Sequence, residues 1–331
     1  MKQVSIVTGA YGYIGSVLTK ELHERGHYVI GIDNDPSALG DWMKSSGKRR
    51  TKYCDEFLVN CFVSEAALNM LHHFPEATVY HLAANSLLGP SAYDPLMYFE
   101  NNTANTLKLL QCLRPTNRLV FASTAAVYAP TKNKSIKETA ELGPPNNYGL
   151  SKLWCEQMID SYYQLGYIKA TSFRFFNVVG AWDDMGQQEG TPHIFNKLCE
   201  STFEGTTFQI YSNKYPTPSG TCIRDYVHVR DICGAMIHAD EYMNTSTNYG
   251  CHNKYNLGTQ SGHSVDEIIT MFQIVTGTKI NVAIADARVG DPAVLVANPN
   301  KFIKETKFKY KHSNSLFDMI NSAWSYYNAR V

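Results

Sequence analysis

Two rhythms of apolar and polar positions alternate along the first half of the chain. Val4-Ser5-Ile6-Val7-Thr8 is a short β-branched run that ends in Gly9-Ala10-Tyr11-Gly12-Tyr13-Ile14-Gly15. Beyond it Val17, Leu18 and Leu22 recur at the spacing of one helix face until Arg25-Gly26, and a second apolar run, His27 to Ile32, closes on Asp33. The pattern predicts strand, glycine turn, helix, strand. Further strands are predicted at 56–59, 78–82, 118–122 and 170–175, with helical stretches between them, including 101–113. After Gly180 the rhythm breaks, and 181–223 is rich in Gly, Pro, Thr and polar groups. A helix is predicted at 227–243 and a strand that rejoins the sheet at 254–257. Another helix runs over 264–276, opened by Ser264 with Glu267 three places on, the reciprocal capping arrangement.

Strands that alternate with helices make a parallel sheet covered on both faces. The expected fold is therefore α/β, a Rossmann-like doubly wound parallel sheet with a smaller, interleaved C-terminal α/β substrate domain. The boundaries implied are 1–180 for the dinucleotide-binding domain, with returning segments about 226–260. The second domain takes 181–225 and 261–331. Ligands of such sheets sit beyond the carboxyl ends of the strands, where Gly9, Asp33, Ala83-Ala84, Ser123-Thr124 and Asn177 fall.

Two stretches carry chemistry. The glycine turn follows a strand and precedes a helix, and Asp33 stands eighteen residues beyond Gly15. A helix N-terminus for a pyrophosphate and an acid for a ribose hydroxyl is the dinucleotide arrangement; a purely structural glycine turn is the bland alternative. A carboxylate at Asp33 favours NAD over NADP, since it would repel a 2′-phosphate. The second stretch is Ala122-Ser123-Thr124-Ala125-Ala126-Val127-Tyr128, followed by Tyr148-Gly149-Leu150-Ser151-Lys152. Tyr148 and Lys152, four apart, share a helix face, so an ammonium is placed to lower the pKa of a phenol. A Tyr so shifted can take a proton from an alcohol.

Composition narrows the field. Lys plus Arg and Asp plus Glu both number 30, so no net field draws nucleic acid or an anionic membrane. No apolar run approaches the roughly eighteen residues of a spanning helix, and Gly9 and Gly12 interrupt any leader-like segment; a cytoplasmic protein is expected. The eight cysteines are scattered without a CxxC pair, and His72-His73 and His228 have no partners at ligand spacing, so no metal site is expected.

Taken together, Thr8 to Gly15, His81-Leu82-Ala83-Ala84, Ser123-Thr124 and Tyr148-x-x-x-Lys152 resemble the extended short-chain dehydrogenase/reductases. Arg174-Phe175-Phe176-Asn177-Val178-Val179-Gly180-Ala181, the segment from Tyr215 to Val229, Tyr255-Asn256-Leu257-Gly258-Thr259 and Arg288-x-x-Asp291 narrow the resemblance to the UDP-glucose 4-epimerases. The resemblance runs from residue 2 to beyond residue 300.

It implies an NAD-dependent isomerase that inverts C4 of a UDP-hexose through a transient 4-keto sugar, with Thr124, Tyr148 and Lys152 catalytic. It places NAD on Gly9, Tyr11, Gly12, Tyr13, Ile14, Gly15, Asp33, Asn34, Cys61, Phe62, Leu82, Ala83, Ala84, Asn101, Ser123, Tyr148, Lys152 and Phe175. The UDP-sugar falls to Ser86, Thr124, Tyr148, Phe176, Asn177, His193, Gln209, Tyr211, Arg224, Arg288, Asp291 and Leu295. Arg224 and Arg288 would grip the diphosphate and Asp291 the uridine ribose. A homodimer joined through the helix after Tyr148 is implied as well.

Departures from the family pattern stand beside the match. Cys61 replaces an acid that contacts adenine, Ser86 a lysine and Val178 a proline. Leu295 falls where members restricted to plain hexoses carry a large aromatic, which implies room for the N-acetylhexosamine pair. Relatives that dehydrate the sugar carry an acidic pair directly after the catalytic Thr; here those places are Ala125 and Ala126. Two alternatives stay open: another NAD-dependent nucleotide-sugar enzyme, or a non-catalytic NAD(H)-sensing protein of the same fold.

Overall fold

A computed structural model describes all residues except 1, 35–50, 132, 134, 189, 246–251, 289–290 and 331. Its centre is a seven-stranded sheet built from β1 (Val4–Thr8), β2 (Tyr28–Asp33), β3 (Glu56–Val59), β4 (Thr78–His81), β5 (Arg118–Thr124), β6 (Lys169–Phe175) and β10 (Asn253–Leu257). The order is β3-β2-β1-β4-β5-β6-β10, and every pairing is parallel. The chain winds outward one way from β1 and the other way from β4. The crevice beyond their carboxyl ends is the switch point where such sheets bind ligands.

Alternate strand residues supply the two faces of the sheet. On one face Val7, Val29, Tyr80, Val120 and Phe173 are fully buried under the Tyr13–Glu24 and Val229–Thr245 helices. On the other, Ile6, Ile30, Val79, Leu119 and Phe121 meet Leu71, Leu109, Leu110 and Ile159 from the Glu65–His73, Asn105–Cys112 and Asn147–Gln164 helices. Each such large side chain contributes about 1.5–3 kcal/mol of burial. Two-sided burial is why these strands read as continuous apolar runs rather than as a polar alternation.

A second layer holds β7 (Asn177–Val179), β8 (Phe208–Tyr211), β9 (Ile223–His228), β11 (Gly262–Ser264), β12 (Val282–Ala285) and β13 (Val294–Leu295). Strand β9 pairs with β7 and β13 in parallel and with β11 antiparallel, while β8 pairs with β12. The Ile194–Glu204, Val265–Thr276 and Leu316–Asn328 helices pack around Phe195, Phe272 and Ile320. The capping box at Ser264 is present: its Oγ accepts from Glu267 N at 3.2 Å, and its N–H donates to Glu267 Oε2 at 2.7 Å.

Three sequence readings are corrected. The helix expected from 227 begins at Val229, because 223–228 is spent as β9. The helix expected over 101–113 opens as a wider π-turn, Phe99–Ala104, before becoming α over Asn105–Cys112. Strand β5 runs on to Thr124, which is still paired with Phe175 of β6.

Candidate active site

The glycine turn is as tight as its sequence demands. Gly9 has φ +72°, and a Cβ there would lie 2.7 Å from Ala83 N; a Cβ on Gly15 would run into the Gly9 carbonyl oxygen. Gly12 caps the Tyr13–Glu24 helix without a side-chain hydrogen bond, which leaves first-turn N–H groups for an incoming anion. Asp33 Oδ2 accepts from the Tyr11 N–H at 2.9 Å, so the carboxylate at the end of β2 also braces the turn. Tyr13 donates its hydroxyl to the Gly180 carbonyl at 2.6 Å, tying the turn to the segment after β7. A bare, helix-opening cradle beside a carboxylate fits a dinucleotide pyrophosphate and ribose.

The floor between β1 and β4 is a hydrogen-bond chain of fixed direction. Thr106 Oγ1 donates to the Asn102 carbonyl at 2.5 Å, so it accepts from His81 Nε2 at 2.9 Å. His81 Nδ1 must then accept from Thr8 Oγ1 at 2.7 Å, and Thr8 accepts from Ala83 N at 3.3 Å. Burial, with the Lys152 charge nearby, pulls His81 down to about 3, so the ring is neutral and holds one tautomer. Asn102 in the π-turn grips the neighbouring loop twice, accepting from Asn85 N at 2.8 Å and donating to Asn85 O at 2.9 Å, and reaches Ser151 Oγ at 3.1 Å. The π-turn therefore registers the catalytic helix against the loop after β4.

Tyr148, Thr124 and Lys152 come together at the end of β5. Asn146 caps the Asn147–Gln164 helix by accepting from Gly149 N at 2.8 Å. Gly149 seats that helix on the Ala125–Val127 turn, where a Cβ would collide with the Ala126 carbonyl. The Tyr148 side chain is half-buried. Burial pushes the phenol up to about 12, against a hydrogen bond with Thr124 that lowers it. Thr124 Oγ1 also accepts from Ala126 N at 3.1 Å.

Lys152 points its ammonium at β5 rather than at the Tyr148 hydroxyl. Its Nζ donates to the Ala122 carbonyl at 2.8 Å and lies 4.6 Å from the Phe121 ring centre, and burial pulls it down to about 8. The expected lowering of the phenol is absent, because the β5 carbonyl is the nearer acceptor for a 2 % exposed ammonium. The places after Thr124 hold no acid or base: Ala125 is buried against Val127 and Tyr128.

The remaining named residues fall into two groups around this centre. Phe62 is buried with its ring 4.8 Å from His81, Phe175 is buried 6.4 Å from Phe173, and Cys61 is half-buried. Asn34 is exposed, and half-buried Asn101 donates to Asn102 Oδ1 at 3.1 Å. Leu82, Ala83 and Ala84 follow β4, half-buried, and Ile14 lies in the first turn of its helix. The Ser123 hydroxyl is turned into the core, donating to Glu156 Oε1 at 2.5 Å.

At the other end Arg224 Nη2 pairs with Asp291 Oδ1 at 2.5 Å, and Leu295 of β13 lies beside Arg224 in the register. The Arg288 guanidinium lies 3.8 Å from the centre of the Tyr211 ring. Asn177 starts β7, and Phe176 N donates to Leu257 O at 3.0 Å. Gln209 and Tyr211 point outward from β8, and Ser86 and His193 are exposed.

Sequence reasoning missed Asp225, which is fully buried and accepts from Thr259 N and Oγ1, Gln260 N and Ala297 N at 2.7–3.0 Å. It clamps the β10–β11 link to the strand that carries Arg224. Glu156 was missed too, although it lies four residues beyond Lys152. Among the described residues no group of three or more His, Cys, Asp or Glu side chains converges as a metal would require. None of their helices is long and apolar enough to cross a membrane.

A glycine cradle with its acid, joined to a Thr-Tyr-Lys group at the end of the fifth strand, defines a dinucleotide-dependent enzyme that moves a proton and a hydride at an alcohol carbon. The chain belongs to the NAD dependent epimerase/dehydratase family, whose model matches residues 5–258. It is 34 % identical over 328 residues to the UDP-glucose 4-epimerase of Corynebacterium glutamicum, covering 98 % of this chain and 95 % of that one. Among solved structures it resembles the UDP-glucose-4-epimerase of Stenotrophomonas maltophila with bound NAD and formylated UDP-arabinopyranose: TM-score 0.88, 30 % identity, 100 % and 99 % of the two chains. It also resembles the UDP-Glc/GlcNAc 4-epimerase of Campylobacter jejuni, with TM-score 0.80, 29 % identity and 99 % of each chain.

Proposed function

We propose that this protein is an NAD-dependent isomerase that interconverts UDP-glucose and UDP-galactose by inverting C4″ of the sugar. The observation that carries the reading is the convergence of Thr124 on β5 with Tyr148 and Lys152 on the Asn147–Gln164 helix, with alanine after Thr124 where a dehydratase needs an acid and a base. NAD, when bound, would supply reversible hydride uptake from C4″ and the positive charge that lowers the phenol. Gly9, Gly12, Gly15 and Asp33 would hold it, with Ala83 against the turn.

Tyr148 takes the 4″-hydroxyl proton and later returns it, while Thr124 holds that oxygen in line. A phenol at about 12 is a poor base at neutral pH, so added positive charge must lower it in the complex. Lys152 remains an ammonium below about 8 and stands one helical turn away to supply part of that charge. Arg224 and Arg288 grip the diphosphate, and Asp291 leaves Arg224 to accept from the uridine ribose. The 4-keto sugar turns about its bonds to the diphosphate and is reduced on its opposite face.

Half-buried Leu295, beside Arg224, leaves room for an N-acetyl group, so the N-acetylhexosamine pair is a second substrate pair. The sheet residues 1–180, with the returning 226–260, form the cofactor domain, and 181–225 and 261–331 form the sugar-nucleotide domain. Exposed Trp154 and Leu107, on the Asn147–Gln164 and Asn105–Cys112 helices, support a homodimer through that face, which light scattering tests directly. The protein acts in the cytoplasm.

Purified protein incubated with UDP-galactose and no added cofactor should yield UDP-glucose by proton NMR. Stoichiometric NAD consumption would indicate a dehydrogenase instead. Against the sensor alternative, Tyr148→Phe should abolish the biological effect; full retention would favour it.

A further inference from the structure

Three neighbouring strands place Ser123, Arg174 and Asn256 side by side in register, on β5, β6 and β10. From the catalytic helix Glu156 comes down on this row. Arg174 Nη2 donates to Glu156 Oε2 at 2.7 Å and Nε to Oε1 at 3.0 Å, with both side chains 1 % exposed, and Ser123 adds its hydroxyl at 2.5 Å. The other side of the guanidinium donates to the Tyr128 hydroxyl at 2.9 Å, which in turn donates to Asn256 Oδ1 at 2.6 Å.

A buried ion pair is a weak device for stability, since a packed apolar pair often does as well. This one sits where stability is not the only use. Ser123 immediately precedes Thr124, and Glu156 stands one helical turn past Lys152 and two past Tyr148. The forked pair therefore joins β6 to the helix that presents Tyr148 and Lys152, and the Ser123 hydroxyl ties the same carboxylate to β5, one residue before Thr124.

We propose that Glu156 and Arg174 are positioning residues for the active site: their ion pair fixes the Asn147–Gln164 helix on β6, with Ser123 binding the same carboxylate to the end of β5, and keeps a compensated charge one turn from the Lys152 ammonium. This rests on the epimerase reading for its kinetic meaning, though not for its electrostatic one. The groups facing Lys152 are the Ala122 carbonyl and Phe121 ring from β5, neutral His81 from β4, and Cys155 and Glu156 on its own helix. Glu156 is the carboxylate in that set, and it supports the charged form. Removing its charge takes away the carboxylate that supports Lys152 and leaves the Arg174 cation it held at 2.7 Å uncompensated, and like charges disfavour ionisation of the weaker acid–base group.

The test is an NMR titration of the full-length, cofactor-loaded protein labelled with 15N-lysine. The Lys152 Nζ resonance is assigned by its loss in Lys152→Met. In Glu156→Gln the Lys152 midpoint should fall by about one pH unit, and in Glu156→Gln/Arg174→Met it should return close to the wild-type value. The alkaline limb of the kcat profile should move with it while KM stays put. Superimposed midpoints in all three proteins, or an equal fall in the single and double variants, would overturn the proposal. Should Glu156→Gln fail to fold, Glu156→Asp keeps the charge and shortens the arm: it should lower kcat and leave the midpoint in place, and a fallen midpoint would contradict the proposal. The resonance needs no substrate, so a wild-type protein that turns over no UDP-hexose would sink the epimerase reading and leave this test standing.

Discussion

Lys152 donates a hydrogen bond from its ammonium to the Ala122 carbonyl at 2.8 Å, while Thr124 stands by the Tyr148 phenol, one turn away, and lowers its pKa. Burial outweighs that lowering and leaves the phenol at about 12 in the protein alone. Tyr148→Phe should fold normally and lower kcat by about 10²–10⁴-fold, the range for a lost general acid–base group. Thr124→Val should lower it less, since the phenol stays. Steady-state rates with UDP-galactose, beside thermal melts, check both.

The same lysine makes a stability prediction with a definite sign. Its folded-state pKa is lowered from 10.5 to about 8, so between those values the unfolded chain holds more protons. Stability from this site rises with pH across that window, and below about 8 the buried charge is a standing penalty on the order of 3 kcal/mol. Lys152→Met should therefore melt higher than wild type at pH 7. The gap should narrow as pH rises from 8 towards 10.5, measured as the difference between the two melting curves.

Glycines in the turn and outside it should separate cleanly. Gly15→Ala puts a methyl into the Gly9 carbonyl, so backbone must move, and the purified variant should lose its bound nucleotide, read from the ratio of absorbance at 260 and 280 nm. Gly26 also has positive φ, at +83°, but nothing lies within 4 Å of an added Cβ. Gly26→Ala should cost only about 1 kcal/mol of backbone strain and keep the nucleotide.

Arg224 is held by Asp291 and by the Ile223 carbonyl at 2.8 Å, presenting a planar fork that an ammonium cannot copy. Arg224→Lys should raise KM for the UDP-sugar about tenfold, equivalent to about 1.4 kcal/mol, with kcat changed less. An unchanged KM together with unchanged affinity for UDP would remove Arg224 from the diphosphate.

Leu295 and Arg224 lie side by side on β13 and β9, so a side chain added at one narrows the space beside the other. Leu295→Tyr should depress turnover of UDP-N-acetylglucosamine at least tenfold more than that of UDP-glucose. Equal loss on both would place the size filter elsewhere.

What could be read from the sequence follows what the sheet buries. Strands β1, β2, β4, β5 and β6 announce themselves because both faces are covered, so Ile6 with Val7 and Leu119 with Val120 read as unbroken apolar runs. The glycine turn was legible for a steric reason, since Gly9 and Gly15 admit no Cβ. Strands β8 and β12 escaped because only alternate residues are covered: Gln209 and Tyr211 are exposed between buried neighbours, and Val282 and Ile284 are exposed. At β13, two residues are too few to carry a period.

The site was legible as a set of residues but not as a set of partners. Spacing brought Tyr148 and Lys152 to one helix face, but the direction of the Lys152 side chain depended on the Ala122 carbonyl, which no spacing reveals. Nor does spacing reveal that the Ser123 hydroxyl is taken by Glu156, or that Arg224 closes on a carboxylate 67 residues away.

The central claim is that one carbon is oxidised and re-reduced without the hydride leaving the protein. UDP-galactose deuterated at C4″, incubated with the purified protein in ordinary water without added cofactor, tests it in one NMR experiment. The account predicts UDP-glucose with deuterium still at C4″. Loss of the deuterium to solvent, or its appearance in free NADH, would contradict it.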